Sequence, residues 1–543
     1  MKKQACAACL VAVCTAVYGV FADDVPGFLP GTLVIAPGNG VATNVTETLS
    51  GMCNVQVNDG ATGGGIVTLA NSFNSYLGGT YVKSGTLVAD AIGNWGAASS
   101  IGTAAGVTNA LVIGNGTLRY TGPDASTDRD VLILMPAGAE KHAGVLDLEH
   151  DLTFSGRFSA VNGCLIKKGP GTMTIASPAT IAGCRNSFYG GTLGDINKVP
   201  DIGANGDGAT VGIAGFIILN GRVVIDTPDT VTNYFGNNEF VVGKNSTTAS
   251  GSETAAHLDV YGGYNDFGSF LAIGRANGTT TTAPSGLSST VNIYGGYTWV
   301  NNISMGYTIS NTGVTAKPVL NVYGGELRTS YLRLCDHPSQ GYVTVNVSGG
   351  ILRSTGDYAG GNNTAGGTIY INVSTNGLFQ CDKTFNFFKG GSGSTGIVRI
   401  FDGGTLQANN FNCDGTGTAR IEADGGVIKP NGTVNARIVT ALGEKGLTIN
   451  ARGNTTWNGA IQTLSGVAQD GGLTVTGGKT VTLNVDVVPG LYYAADSAAT
   501  IEALKRPGVS EPAKAGDAVV VPKQTGAQGF YKVWVSDAPI KAE

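Results

Sequence analysis

The sequence predicts an all-β fold: a right-handed parallel β-helix (a β-solenoid) with a small β module at its C-terminal end. Three observations carry this. Glycine fills 85 of 543 positions, about twice the usual share, while only 13% of residues are charged, about half the usual share. A short strand pattern closed by a Gly-Gly turn recurs through the middle of the chain. Helical signals are nearly absent, the one candidate, Ala499 to Arg506, being stopped by Pro507-Gly508.

The repeat justifies the solenoid. Its copies read Leu258-Asp-Val-Tyr-Gly-Gly, Val291-Asn-Ile-Tyr-Gly-Gly, Leu320-Asn-Val-Tyr-Gly-Gly and Val345-Asn-Val-Ser-Gly-Gly. Ile371-Asn-Val-Ser continues the series, and Val398 to Gly404 and Ile421 to Gly426 are degenerate copies. The first glycines stand at 262, 295, 324 and 349, so the spacings are 33, 29 and 25. A second strand recurs between the turns: Phe240-Val-Val-Gly, Leu271-Ala-Ile-Gly, Ile303-Ser-Met-Gly and Leu332-Arg-Leu-Cys, with Phe411-Asn-Cys as a late copy. The predicted unit is strand, Gly-Gly turn, strand, polar loop. A strand alternates its faces, so Val291 and Ile293 point one way and Asn292 and Tyr294 the other. One unit cannot close a core, but stacked units bury the aliphatic side continuously. At about 25 residues per coil, residues 28 to 485 make about 18 coils. At about 4.8 Å per strand spacing they form a rod on the order of 90 Å long.

The N-terminus reads as a secretory signal. Lys2 and Lys3 precede an apolar run from Ala5 to Val20, followed by Val20-Phe21-Ala22, a cleavage site after Ala22. The run is shorter than the roughly 20 residues of a spanning helix, and no later stretch is apolar enough to span as one. Loss of Lys2 and Lys3 takes the net charge from −5 to −7. The charges are scattered with no basic stripe, which argues against nucleic acid as a partner. Six cysteines remain after cleavage: Cys53, Cys164, Cys184, Cys335, Cys381 and Cys413. None forms a CxxC pair. Cys164 and Cys184 stand one coil apart in sequence, so either a bridge or burial as small apolar groups fits them.

The N-terminal half carries a different signature. The stretch from Gly65 to Leu87, with Leu77-Gly-Gly-Thr-Tyr-Val-Lys-Ser-Gly-Thr-Leu87 at its end, resembles the autotransporter-associated β-strand repeat of passenger domains. Leu165-Ile-Lys-Lys-Gly-Pro-Gly-Thr-Met-Thr-Ile175 resembles another piece of that repeat, and Tyr189-Gly-Gly-Thr-Leu193 its closing step. The middle repeats are similar to a relative of it common in exported bacterial β-helices. The resemblance covers roughly residues 60 to 430 and implies a passenger-type solenoid. A translocator barrel would need at least eight strands of about ten residues. Only 117 residues follow Gly426, so none is expected in this sequence.

The expected organisation is a signal peptide over 1–22, an N-terminal solenoid over 23–235, and a solenoid of Tyr-Gly-Gly-type and degenerate coils over 236–487. A small β cap or attachment module follows over 488–543, closing on the strand Gly529 to Ser536.

No catalytic, metal or cofactor-binding residues are expected. Sugar-cleaving β-helices need clustered Asp residues with a Gly-His-Gly and an Arg-x-Lys, or calcium carboxylates beside a base; the first set of strings is absent. The densest titratable cluster, Glu149-His150-Asp151 with Asp147 before it, sits in a strand-like run with no cation placed by sequence. His142, His257 and His337 are isolated. Gly478-Lys479-Thr480 resembles the end of a phosphate-binding loop but leads into a strand and lacks the earlier glycine, Leu473 standing there. The candidate binding stripe is the outward side of the repeat: Tyr261, Tyr294 and Tyr323 beside Asn292 and Asn321, the amide row continuing to Asn346 and Asn372. Such a row either stabilises the coil as an amide ladder or marks a contact surface for glycans or cell-surface components. The function expected is that of a secreted or surface-displayed, adhesin-like bacterial scaffold and not an enzyme. The second reading is a polysaccharide-binding or polysaccharide-cleaving β-helix.

Overall fold

The computed structural model describes residues 29, 31–59, 64–134, 143–161, 164–181, 214–235, 239–245, 255–276, 287–306, 316–335, 342–360, 367–388, 394–414, 416–467, 471–476, 481–483, 488–498, 503–514 and 530–543. The signal segment 1–22, Tyr189 to Leu193, Cys184, His142, His337 and Gly478 to Thr480 lie outside them. No α-helix occurs among the described residues, and Leu504 to Arg506 are not helical. The fold is a parallel β-solenoid in two compact units, residues 1–272 with 277–283, and residues 273–276 with 284–543.

Each unit winds three strand faces, not the two strands per coil that the repeat suggested. In the first unit, the first face stacks Thr32–Ile35, Asn54–Val57, the start of Thr80–Ala89, the start of Leu111–Tyr120, Val131–Leu134, Phe158–Val161, Ala179–Ile181, Thr232–Tyr234 and Tyr264–Asp266. The second face runs from Ala42–Val45 and Ile66–Leu69 to Ala143–Leu148, Cys164–Lys168, Ala214–Ile218 and Glu239–Asn245. The third face holds Ala125–Thr127, Leu152–Phe154, Thr172–Ile175, Gly221–Ile225 and Ala255–Val260. All these pairings are parallel, as they must be when each strand meets its counterpart one coil later.

In the second unit the Asn-Val repeat forms the third face. Leu287–Ile293, Ala316–Val322, Tyr342–Ser348, Thr368–Ser374, Thr395–Phe401, Thr418–Asp424, Ile438–Leu442 and Ile461–Thr463 stack in order. The second strand read from sequence, Ile303 to Met305 and Leu332 to Leu334, forms the second face. The strand missed in sequence follows the Gly-Gly turn directly and makes the first face. Tyr297–Met305 and Glu326–Leu334 serve both faces as one strand; pairing skips a residue between Val300↔Thr329 and Asn302↔Tyr331, where the corner falls. The missed strand is hard to read because it fuses with the next.

Alternation places the core as expected. Val291, Ile293, Leu320, Val322, Val345, Val347 and Val373 are fully buried. Each such side chain contributes about 1.5–3 kcal/mol over its exposed state. Aromatic side chains stack inside both units: Phe235 on Phe267 at 4.9 Å in the first, Tyr358 on Phe385 at 4.2 Å in the second. The turns need glycine where the backbone turns left-handed with a neighbouring coil close by. Gly325 has φ +62°, and a Cβ there would lie 2.3 Å from the Gly296 carbonyl oxygen.

The last coil ends differently. Leu473–Thr476 pairs antiparallel with Phe530–Ser536, which pairs antiparallel with Tyr492–Ala498. Trp534 is buried there with Ala494 and Ile540. The Tyr493 hydroxyl donates to the Ile461 carbonyl at 2.7 Å, tying this segment to the end of the third face.

Candidate functional site

The predicted amide row is a continuous hydrogen-bonded ladder. Register sets Asn292 opposite Asn321, Asn321 opposite Asn346 and Asn346 opposite Asn372. Each Nδ2 donates to the Oδ1 of the preceding coil: Asn321 to Asn292, Asn346 to Asn321 and Asn372 to Asn346, all at 2.7 Å. The next two rungs are Arg399 and Glu422, joined as an ion pair at 2.9 Å. Parallel in-register stacking makes this possible, because identical side chains then lie one strand spacing apart.

The tyrosines stand just outside the third-face strands and are exposed: 43% for Tyr261, 39% for Tyr294 and 44% for Tyr323. Tyr294 and Tyr323 stack, with centroids 5.2 Å apart and planes 18° from parallel. Each therefore covers one ring face of the other. Tyr261 lies in the first unit, where its hydroxyl accepts from the Arg222 guanidinium at 3.2 Å. In the next two coils the row changes to Ser348 and Ser374.

The carboxylate cluster is absorbed by its neighbours. Arg119, one coil back, donates through Nε to Glu149 at 3.0 Å. Lys168 stands 3.6 Å from Asp147, and the Asp151 carboxylate accepts the Thr172 backbone N–H at 2.6 Å. The sequence placed no cation beside these acids because the partners lie one coil away. Among the described residues, no group of three or more His, Cys, Asp or Glu is placed to hold a metal ion. Cys53, Cys335, Cys381 and Cys413 are buried thiols that form no disulfide among the described residues. Burial pushes the Cys335 thiol up to about 12 and the Cys381 thiol up to about 11, so neither is a nucleophile at neutral pH.

Sequence reading missed a loop in the first unit. Between Thr80–Ala89 and Leu111–Tyr120 the third face has no strand; residues 90–110 take its place. The loop is fastened from both neighbouring coils. The Ser99 and Thr103 N–H groups donate to the Asn74 and Tyr76 carbonyls on one side. On the other, the Thr127 hydroxyl donates to the Gly93 carbonyl at 3.0 Å. Beneath it lies Arg129, only 1% exposed. Its guanidinium donates to the carbonyls of Asn94, Ala97, Ile101 and Gly102 and to the Ser99 hydroxyl. Burial pulls this guanidinium below its ordinary value. Above it stands Trp95, 55% exposed. The signal available in sequence was the length of the interruption, since irregular loops beyond about 12–15 residues are usually functional or disordered.

A second buried cation was also missed. Lys167, inside the Lys-Lys-Gly-Pro-Gly-Thr motif, is fully buried and donates to the Gly169 carbonyl at 2.5 Å. Burial lowers it to about 8, against the pull of Asp147 and Asp151.

No protein-family model and no solved structure matches the chain. Among the described residues no helix is long and apolar enough to cross a membrane. The chain is similar to the adhesin BmaC autotransporter of Brucella suis biovar 1, with 31% identity over 291 residues, 52% of this chain. The match spans 8% of that much longer relative.

Proposed function

We propose that this chain is an exported, adhesin-like solenoid of the bacterial surface or extracellular space, a scaffold that displays contact surfaces and does no chemistry. The observation that carries the reading is the similarity to an autotransporter adhesin over half the chain, in a protein whose coils form a parallel β-solenoid. The carboxylates that could have cut a sugar support it, since Asp147 and Glu149 are engaged in ion pairs across coils. The Asn ladder and the stacked Tyr294–Tyr323 pair serve mainly the stability of the coil on this reading, because the amides bond to one another and each ring gives one face to the other.

The test is adhesion. Beads coated with residues 23–543 should adhere to host cells or glycan-coated surfaces above uncoated beads, and the same protein should release no reducing ends from acidic or neutral polysaccharides. Sugar release would make it an enzyme; beads that never adhere would remove the adhesin-like reading. Fractionation with mass spectrometry should find the native chain outside the cytoplasm and starting at Asp23.

A further inference from the structure

We infer that the 90–110 loop carries a binding site for a neutral glycan, with Trp95 as its stacking platform. The inference names a ligand class for the adhesin-like reading and rests on it. Among the described residues Trp95 is the most exposed ring with a polar handle, and that handle is already used: its indole N–H donates to the Val107 carbonyl at 3.3 Å. The ring is thus fixed in place and not merely trailing its N–H toward water. No aromatic or cationic side chain covers it among the described residues. Its neighbours Gly93, Gly96, Ala97 and Ala98 are small, and a Cβ on Gly96 would meet nothing within 4 Å. The ring face is therefore accessible to a flat apolar ligand surface.

One backbone position of the loop, Ala104, is held against its own preference. Gly96, Gly102 and Ala104 have φ of +82°, +69° and +55°, and Ala104 has no glycine freedom to lower the cost. Left-handed residues of this kind persist where surrounding contacts over-determine them. Here those contacts are the Arg129 bonds to four backbone carbonyls and the stacking of Gly102 on Tyr76, where a Cβ would come within 2.6 Å of the ring. A buried guanidinium whose terminal nitrogens bond only to one loop fixes that loop's shape, a preorganisation that lowers the ordering cost of binding.

The polar groups beside the ring suit hydroxyls. The Trp95 backbone N–H donates to Asp128 Oδ1 at 2.5 Å and the Asp128 backbone N–H donates to Asn94 Oδ1 at 3.2 Å. This leaves Asn94 Nδ2 as a donor and Asp128 Oδ2 as an acceptor, both on exposed residues and both without a partner among the described residues. A donor and an acceptor flanking an open indole match a pyranose, which has an apolar face of C–H groups and a rim of hydroxyls. The charge shown to solvent beside the ring is the Asp128 carboxylate, while Arg129 lies beneath the loop, so uronates and sialic acids are disfavoured. One ring among small residues is also far below the area a stable protein partner needs, on the order of 800 Å² per side.

The experiment is a glycan array with short neutral oligosaccharides in gluco, galacto and manno configuration beside uronate- and sialate-containing ones. It is probed with residues 23–543 as wild type, Trp95→Ala, Trp95→Phe and Asp128→Ala. Neutral glycans should be bound by the wild type, at least tenfold less by Trp95→Ala, in part by Trp95→Phe and more weakly by Asp128→Ala, with unchanged melting of the two Trp95 variants. Binding that survives Trp95→Ala, no binding of any neutral glycan, or a preference for acidic glycans would each overturn the site. Bead adhesion separates this failure from the other: beads that still adhere when the array is blank leave the adhesin-like reading standing and remove only the Trp95 site.

Discussion

The two compact units build the same kind of coil by different means. In the second, one position on the third face is filled by Asn in four successive coils, and each copy satisfies the last. In the first, irregular turns are held by single buried polar side chains with no counterpart one coil away. Asn54 donates to the Leu29 and Gly31 carbonyls, Asn74 links Leu49 to Ser100, Arg129 holds the 90–110 loop, and Lys167 holds the turn at Gly169. The difference teaches where stability concentrates. A ladder spreads it over equivalent rungs, whereas a single pin places much of it in one residue.

That contrast sets an order of expected effects, all readable by chemical denaturation. Ile293→Asn should be the most damaging, about 5 kcal/mol, because it empties a core position and buries an amide without partners. If it is harmless, the inward and outward assignment of the third face fails. Arg129→Met should cost about 3–5 kcal/mol, since four carbonyls lose their donor under a loop that cannot reach water. A cost below 1 kcal/mol would mean the loop holds itself and the pin is idle.

Lys167 gives a test in pH. Its folded value, about 8, lies below its unfolded value near 10.5, so the unfolded chain binds more protons between the two. Stability from this group therefore rises as pH climbs from about 8 to about 10.5, by up to about 3 kcal/mol, and is flat below pH 7. Lys167→Met should abolish that rise; an identical slope in the variant would assign it elsewhere. Asn346→Ala removes two rungs' bonds and should cost about 1–3 kcal/mol. Tyr294→Ser, which copies the residue found at Ser348, should cost only about 0.2–1 kcal/mol. If Asn346→Ala costs more than Arg129→Met, the distinction between ladder and pin collapses.

The same contrast decides what could be read from the sequence. The third and second faces of the second unit were legible because Val-Asn-Ile-Tyr-Gly-Gly and Ile-Ser-Met-Gly return at nearly regular intervals. The ladder of Asn292, Asn321, Asn346 and Asn372 followed from strand alternation alone. The first face was missed for a physical reason: in the first unit its strands are short and carry inward polar residues, such as Asn233 and Asn265, both fully buried and bonded to each other at 2.8 Å. Ser126-Thr-Asp-Arg-Asp130 reads as a solvated loop, and nothing local marks Arg129 as buried. Its partners stand about 30 residues earlier, a distance at which only repetition is informative, and Arg129 is not repeated. Trp95 was passed over for the same reason.

The amide ladder also bears on how such a chain changes length over generations. The inner rungs, Asn321 and Asn346, each donate toward the N-terminal side and accept from the C-terminal side. A coil duplicated in frame brings its own donor and acceptor and joins the series without orphaning either neighbour. A deletion of one whole coil closes up equally well, while an insertion of part of a coil breaks two bonds at once.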